Sequence, residues 1–213
     1  MKRLTQKTFD ELFVRYPALS SVKEKIRDAF LTLVRSYQGG GKLLVCGNGG
    51  SCADAEHIAG ELDKSFKLKR DIGEGIKEKL REYGERGKLL SECLEGVLPT
   101  VALTSHPALS SAYANDRVPA AGFAQQVIAF GKAGDTLLAI TTSGNSENCL
   151  LAAVAAKATG LSVIALTGEK MGKIAEYADI TVNVPETETF KVQEYHLPIY
   201  HALCAMLEAE FFS

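Results

Sequence analysis

Lys42-Leu43-Leu44-Val45-Cys46-Gly47-Asn48-Gly49-Gly50-Ser51 is the stretch that decides the fold. A short apolar run ends in a glycine-rich turn, and helical periodicity follows from about Cys52. The run does not alternate with polar residues, so both of its faces are covered, which is the mark of a strand inside a parallel sheet. The same order of strand, small polar turn and helix recurs downstream. Leu98 to Thr104, Thr136 to Thr141, Ser162 to Leu166 and Ile180 to Val184 complete a set of five candidate strands. Strands separated by helices predict an α/β fold with helices on both faces of the sheet, and function at the carboxyl ends of the strands.

Upstream, Val22, Ile26, Ala29, Phe30, Leu33 and Val34 recur every three or four residues and predict a helix over 19–37. Ser20 or Ser21 is placed to cap it, and Gly39-Gly40-Gly41 to end it. With a shorter helix over 6–16, residues 1–40 read as a helical arm. Residues 64–95 mix both charge signs densely and read as a solvated helix, not a ligand site. Phe190 to Phe212 reads as one long helix, apolar over most of its circumference and expected to bend at Pro198, whose ring nitrogen has no proton to donate.

The 213 residues are 46% hydrophobic and 23% charged, the profile of a globular chain. Twenty-four Lys and Arg against 26 Asp and Glu leave no basic surplus, so generic nucleic-acid binding is not expected. No apolar run approaches the roughly 20 residues that span a bilayer, and the first residues lack a signal-peptide core, so a cytoplasmic location is expected. Five widely spaced cysteines without a C-x-x-C pair indicate neither a disulfide framework nor a thiolate metal site.

Two turns carry the chemistry. Gly47 to Ser51 lets the backbone approach a ligand closely at the start of a helix, a signal shared with turns that merely pack strand on helix. Thr141-Thr142-Ser143-Gly144-Asn145-Ser146 offers four hydroxyls at a helix start, where one would suffice for a cap, and so points to a phosphate held by neutral donors. Neither nucleotide-binding glycine pattern occurs at these turns, which disfavours a nucleotide. His57 and Glu61, four apart, share one helix face. His196 and His201 lie on the otherwise apolar last helix, where a buried histidine must be hydrogen-bonded or coordinated.

Gly47 to Ser51, Thr141 to Ser146, His57 with Glu61, Asn115-Asp116 and Gln193 with His201 together resemble the sugar isomerase (SIS) domain family, on the side of the bacterial sedoheptulose 7-phosphate (phosphoheptose) isomerases. The resemblance covers nearly the whole chain and implies a single SIS domain over 1–213, a three-layer αβα sandwich with a five-stranded parallel sheet. It also implies a homotetramer with active sites between subunits and a phosphosugar aldose-ketose isomerase working through an enediol. Thr141, Thr142, Ser143 and Ser146 would hold the phosphate; Asn48, Gly49, Gly50, Ser51, Asn115, Asp116 and Gln193 would line the sugar. Glu61 would be the base and His201 the acid, and in some members a zinc ion is held at positions matching His57, Glu61, Gln193 and His201. Gln193 and His201 are separated by about 12 Å of helical rise, so the helix must start after Gln193 or bend, or the two residues serve different sites.

Three departures bear on the substrate. Residues 64–96 look like an insertion, Ser65 stands where the family has a basic residue, and Phe190 stands where it has an aspartate. The rival class is a non-catalytic SIS regulator that senses a phosphosugar or binds the replication initiator; His57, Glu61 and His201 argue against it, since binding alone needs no acid-base pair. Amino-sugar isomerisation and lactyl-ether cleavage are further possibilities within the fold.

Overall fold

The computed structural model describes residues 1–213. The helices are α1 Arg3–Arg15, α2 Lys23–Gln38, α3 Gly50–Leu62, α4 Glu74–Arg81, α5 Gly84–Cys93, α6 Pro107–Asp116, α7 Gly122–Phe130, α8 Glu147–Ala158 and α9 Thr189–Phe212. The strands are β1 Leu43–Gly47, β2 Thr100–Ala102, β3 Thr136–Ile140, β4 Ser162–Thr167 and β5 Ile180–Asn183, all parallel and ordered β2-β1-β3-β4-β5. All five predicted strands form.

The continuous apolar runs are explained by the two cores. Along the inner strands alternate side chains enter opposite layers, as the two-residue period of a strand requires. Leu43, Val45, Leu138, Ile140, Ile164 and Leu166 join the layer made with α1, α2, α3 and α9. Leu44, Cys46, Leu137, Ala139, Val163 and Ala165 join the layer made with α7 and α8. The sheet is therefore dry on both faces, and the molecule is a three-layer αβα sandwich.

Chain order reverses beside β1: the chain leaves it one way to β2 and then returns to its other side as β3. A crevice opens at such a switch point, beyond the carboxyl ends of the two strands. Here those ends are the glycine turn after β1 and the hydroxyl turn after β3.

Four expectations are corrected. Residues 1–40 are not an arm: Phe9, Leu12, Ile26 and Phe30 are buried in the main core, with α1 laid against α9. Neither Ser20 nor Ser21 caps α2; residues 17–22 form a 3-10 turn and α2 begins at Lys23 without a side-chain cap. Residues 64–96 are a loop followed by two short helices, not one solvated helix. Glycine at 84 with φ 69 separates α4 from α5, and the loop holds the fully buried Arg70. Finally, α9 starts before Gln193 and runs unbroken through Pro198, with Val192, Ile199, Leu203 and Met206 among its buried residues.

Candidate active site

The hydroxyl turn is tied together by its own hydrogen bonds. Thr141 is buried and its Oγ1 lies 3.0 Å from Ser146 Oγ. The Asn145 amide donates to Ser143 Oγ at 3.2 Å, while its side-chain carbonyl accepts from the Lys173 amide at 3.0 Å. Gly144 is required here: its φ is 67, and a Cβ would come within 1.6 Å of the Met171 carbonyl oxygen. Ser146 stands at the N-cap of α8 but makes no capping bond. The hydroxyls are thus not consumed as a cap, and the exposed Ser143 and half-buried Thr142 face the end of the sheet together with the first amides of α8.

The glycine turn faces it across the switch point. Asn48 and Asn148 exchange reciprocal bonds of 2.9 and 2.8 Å. Ser51 is buried in the first turn of α3. The Gln193 carboxamide lies against Gly50 so closely that a Cβ there would meet its nitrogen at 2.7 Å. Asn48, Gly49, Gly50 and Gln193 therefore come together as the sequence suggests. Asn115 and Asp116 make no hydrogen bond with these residues; they end the exposed helix α6, where the Asn115 carboxamide donates to Asp116 Oδ1 at 2.8 Å.

The residues expected to act as acid and base, Glu61 and His201, meet further along α3. Glu61 Oε1 lies 3.3 Å from His57 Nε2, and His57 Nδ1 lies 3.1 Å from the Tyr200 hydroxyl. That hydroxyl donates to Asp54 Oδ1 at 3.1 Å. Its single proton being spent there, it accepts from His57 Nδ1–H. Burial pushes the Tyr200 phenol up, which keeps it a donor, and raises the Asp54 carboxyl against the opposing effect of the Tyr200 bond. His201 packs edge-on to His57 with ring centroids 4.9 Å apart. Burial, followed by the neighbouring His57, holds His201 below the usual histidine range, so it is neutral at pH 7. Its Nε2 and Glu61 Oε2 are both buried without a hydrogen-bond partner. His201 also lines a cavity of about 270 Å³ with Arg15, Tyr16, Phe66, Lys67 and Pro198.

His196 behaves otherwise: fully buried, it reaches the Thr167 carbonyl at 3.3 Å and serves the core. Asp54 and Tyr200 are the site residues that sequence reasoning missed. The available signal was that Asp54 precedes His57 and Glu61 at helical spacing, on one face of α3.

The four residues tied to zinc divide. His57, Glu61 and His201 converge, but Gln193 stays at Gly50, two turns back along α9. Both ring nitrogens of His57 are engaged, and no three acidic, histidine or cysteine side chains are disposed as a ligand set. As placed, these side chains do not fit the ion. Gln193 and His201 serve different ends of the site.

The SIS domain model matches residues 16–77 and 90–168, interrupted across part of α4 and α5. The chain therefore belongs to the SIS domain family. Within it, the chain is 37% identical to a phosphoheptose isomerase of Rhodospirillum rubrum over 94% of this chain and 92% of that one. It is 36% identical to one of Clostridium acetobutylicum over 89% and 84%. Among solved structures, the phosphoheptose isomerase of Francisella tularensis matches at TM-score 0.76 with 31% identity, covering 98% of this chain and all of that one. That of Neisseria gonorrhoeae matches at TM-score 0.71 with 32% identity over 96% and 91%.

Proposed function

We propose that the protein is a phosphosugar aldose-ketose isomerase whose leading substrate is sedoheptulose 7-phosphate, converted to D-glycero-D-manno-heptose 7-phosphate. The observation that carries the reading is the placement of Glu61: Oε1 lies 3.3 Å from His57 Nε2, while Oε2 is buried without a hydrogen bond, with Lys64 Nζ 3.7 Å away. A carboxylate so placed is oriented to take a proton from carbon. Thr141, Thr142, Ser143 and Ser146 receive the phosphate with the start of α8, while Asn48, Gly49, Gly50, Ser51 and Gln193 line the sugar. Glu61 moves a proton between adjacent carbons, and neutral His201 donates a hydrogen bond to the oxygen that carries charge in the enediolate. Asp54 and Tyr200 fix which nitrogen of His57 faces Glu61. Zinc at His57, Glu61, Gln193 and His201 would require Gln193 to leave Gly50 and His57 to leave Glu61, and no step here runs through it.

The halves of the site imply an assembly. Gly50 and Glu61 are separated on α3 by about 16 Å of helical rise. An extended seven-carbon sugar phosphate spans less. A homotetramer in which the hydroxyl turn of one subunit faces the acid-base group of another joins the halves, and Phe190 and Leu197, exposed on α9, are suited to a subunit contact. Asn115 and Asp116 would then reach the sugar from a neighbouring chain. Since His57 and His201 meet within one chain, mixing Glu61→Gln with His201→Ala subunits should not restore activity, whereas mixing Glu61→Gln with Ser143→Ala/Ser146→Ala should. A monomer by light scattering would defeat this part. No helix is long and apolar enough to cross a membrane, and a cytoplasmic location belongs to the reading. The test of the reaction is turnover of C5 to C7 ketose phosphates by the wild type and its loss in Glu61→Gln.

A further inference from the structure

The loop after α3 is organised around one buried ion pair. Glu208, on α9, is fully buried; Oε1 accepts the Phe66 amide at 2.8 Å, and Oε2 accepts the Lys67 and Leu68 amides at 2.7 and 2.9 Å. Arg70, 1% exposed, donates Nε to Glu208 Oε1 at 2.8 Å. The two remaining guanidinium nitrogens donate to the backbone carbonyls of Leu62 at 2.6 Å and Glu61 at 2.8 Å. The second of these is the carbonyl of the residue assigned as base.

Burying two charges is costly, and a buried pair is weak evidence of stabilisation. What this one achieves is geometric. Arg70 satisfies carbonyls at the carboxyl end of α3, where a cation is favoured, and so fixes the last turn, which carries Glu61. Glu208 lies seven residues after His201 on α9 and thus on the same helix face. The amides that it gathers seat Phe66, whose ring lies 5.7 Å from that of His201. One fork-shaped contact therefore ties the helix bearing Glu61 to the helix bearing His201 and packs a phenyl ring on the latter.

We propose that Arg70 and Glu208 are positioning residues for the reaction: they set the register of α3 against α9, and hence the placement of Glu61 relative to His201. The inference rests on the acid-base reading of those two residues. Neither Arg70 nor Glu208 touches the substrate. The hydroxyl turn stands on β3 and α8, so loss of the clamp spares phosphate recognition.

The discriminating variant is Arg70→Lys, which keeps a buried cation beside Glu208 but replaces the planar fork by a point charge unable to serve the carboxylate and both carbonyls together. Glu208→Gln is the second variant; it keeps the volume but sets an N–H₂ against backbone donors. With sedoheptulose 7-phosphate, each should lower kcat about tenfold or more and leave KM within about twofold. By calorimetry, a phosphorylated hydroxamic acid that mimics the enediolate should bind more weakly by the same factor, while the corresponding polyol phosphate binds as to the wild type. A merely structural role would lower both affinities together or neither. Folded Arg70→Lys or Glu208→Gln protein with kcat and hydroxamate affinity within about twofold of wild type overturns the proposal. Glu61→Gln run alongside separates the two claims: if it too retains full turnover, the acid-base reading has failed; if it alone is inactive, only the clamp has.

Discussion

Asn48 and Asn148 close the switch point between β1 and β3 with two reciprocal carboxamide bonds, 2.9 and 2.8 Å long. The pair ties the glycine turn to the first turn of α8, so the two turns proposed to bind the ligand are joined by side-chain bonds. Replacing Asn148 by Ala removes both bonds at a half-buried position, together with the bond its Oδ1 accepts from the Cys149 amide. KM for a phosphosugar should rise about three- to tenfold, the worth of one or two such bonds, with little change in melting temperature. An unchanged KM would mean that the two turns are positioned independently.

Glu61→Gln fills the same volume, can still accept from His57, and cannot take a proton. Turnover should fall about a hundredfold or more with the fold intact. His57→Gln, which removes the group orienting Glu61 without removing the base, should cost less. Steady-state kinetics on both variants decide the order, and a larger loss in His57→Gln would make the imidazole the primary base.

Ser143→Ala combined with Ser146→Ala should raise KM strongly, because these hydroxyls are not engaged as a helix cap. Calorimetry with a phosphosugar is the check, and unchanged affinity would place the phosphate elsewhere.

His196 gives a stability prediction with a definite sign. Burial pushes its pKa down to about 4, against 6.5 for an ordinary histidine. A group whose folded value is depressed stabilises the protein above its unfolded value, and that contribution is lost as pH falls from about 6.5 towards 4. Between about pH 7 and 5 the folded state should lose about 2 kcal/mol from this residue alone. Urea unfolding at the two pH values should show that part of the dependence missing in His196→Gln; equal dependence in both proteins would contradict it.

The fold was legible because the strands are dry on both faces: Leu43 to Cys46 and Thr136 to Ile140 have no choice but a central place in a covered sheet. The two turns were legible for the same reason, since a short strand fixes where its turn must fall. What the sequence concealed was long-range. Arg70 sits in a stretch of mixed charge and reads as solvated; only its partner 138 positions away, Glu208, buries it. Asp54 and Tyr200 meet 146 positions apart and signal nothing separately. Gln193 and His201, read as one ligand set, belong to opposite ends of the site, because α9 passes through Pro198 as a single helix.

Acid-base chemistry on side chains alone also predicts how the enzyme treats chelators. Prolonged dialysis against a strong chelator, with metal content followed by elemental analysis, should leave turnover within about twofold. Loss of activity restored by added zinc would show that Gln193 leaves Gly50 to complete a metal site.

The central claim, proton transfer between carbons at Glu61, is tested most directly by incubating the protein with sedoheptulose 7-phosphate in deuterium oxide and reading the recovered sugars by mass spectrometry. The account predicts one solvent deuterium on carbon in the wild-type incubation, in aldose and recovered ketose alike, and none with Glu61→Gln. No incorporation by the wild type, with this ketose or any other C5 to C7 ketose phosphate, would contradict it.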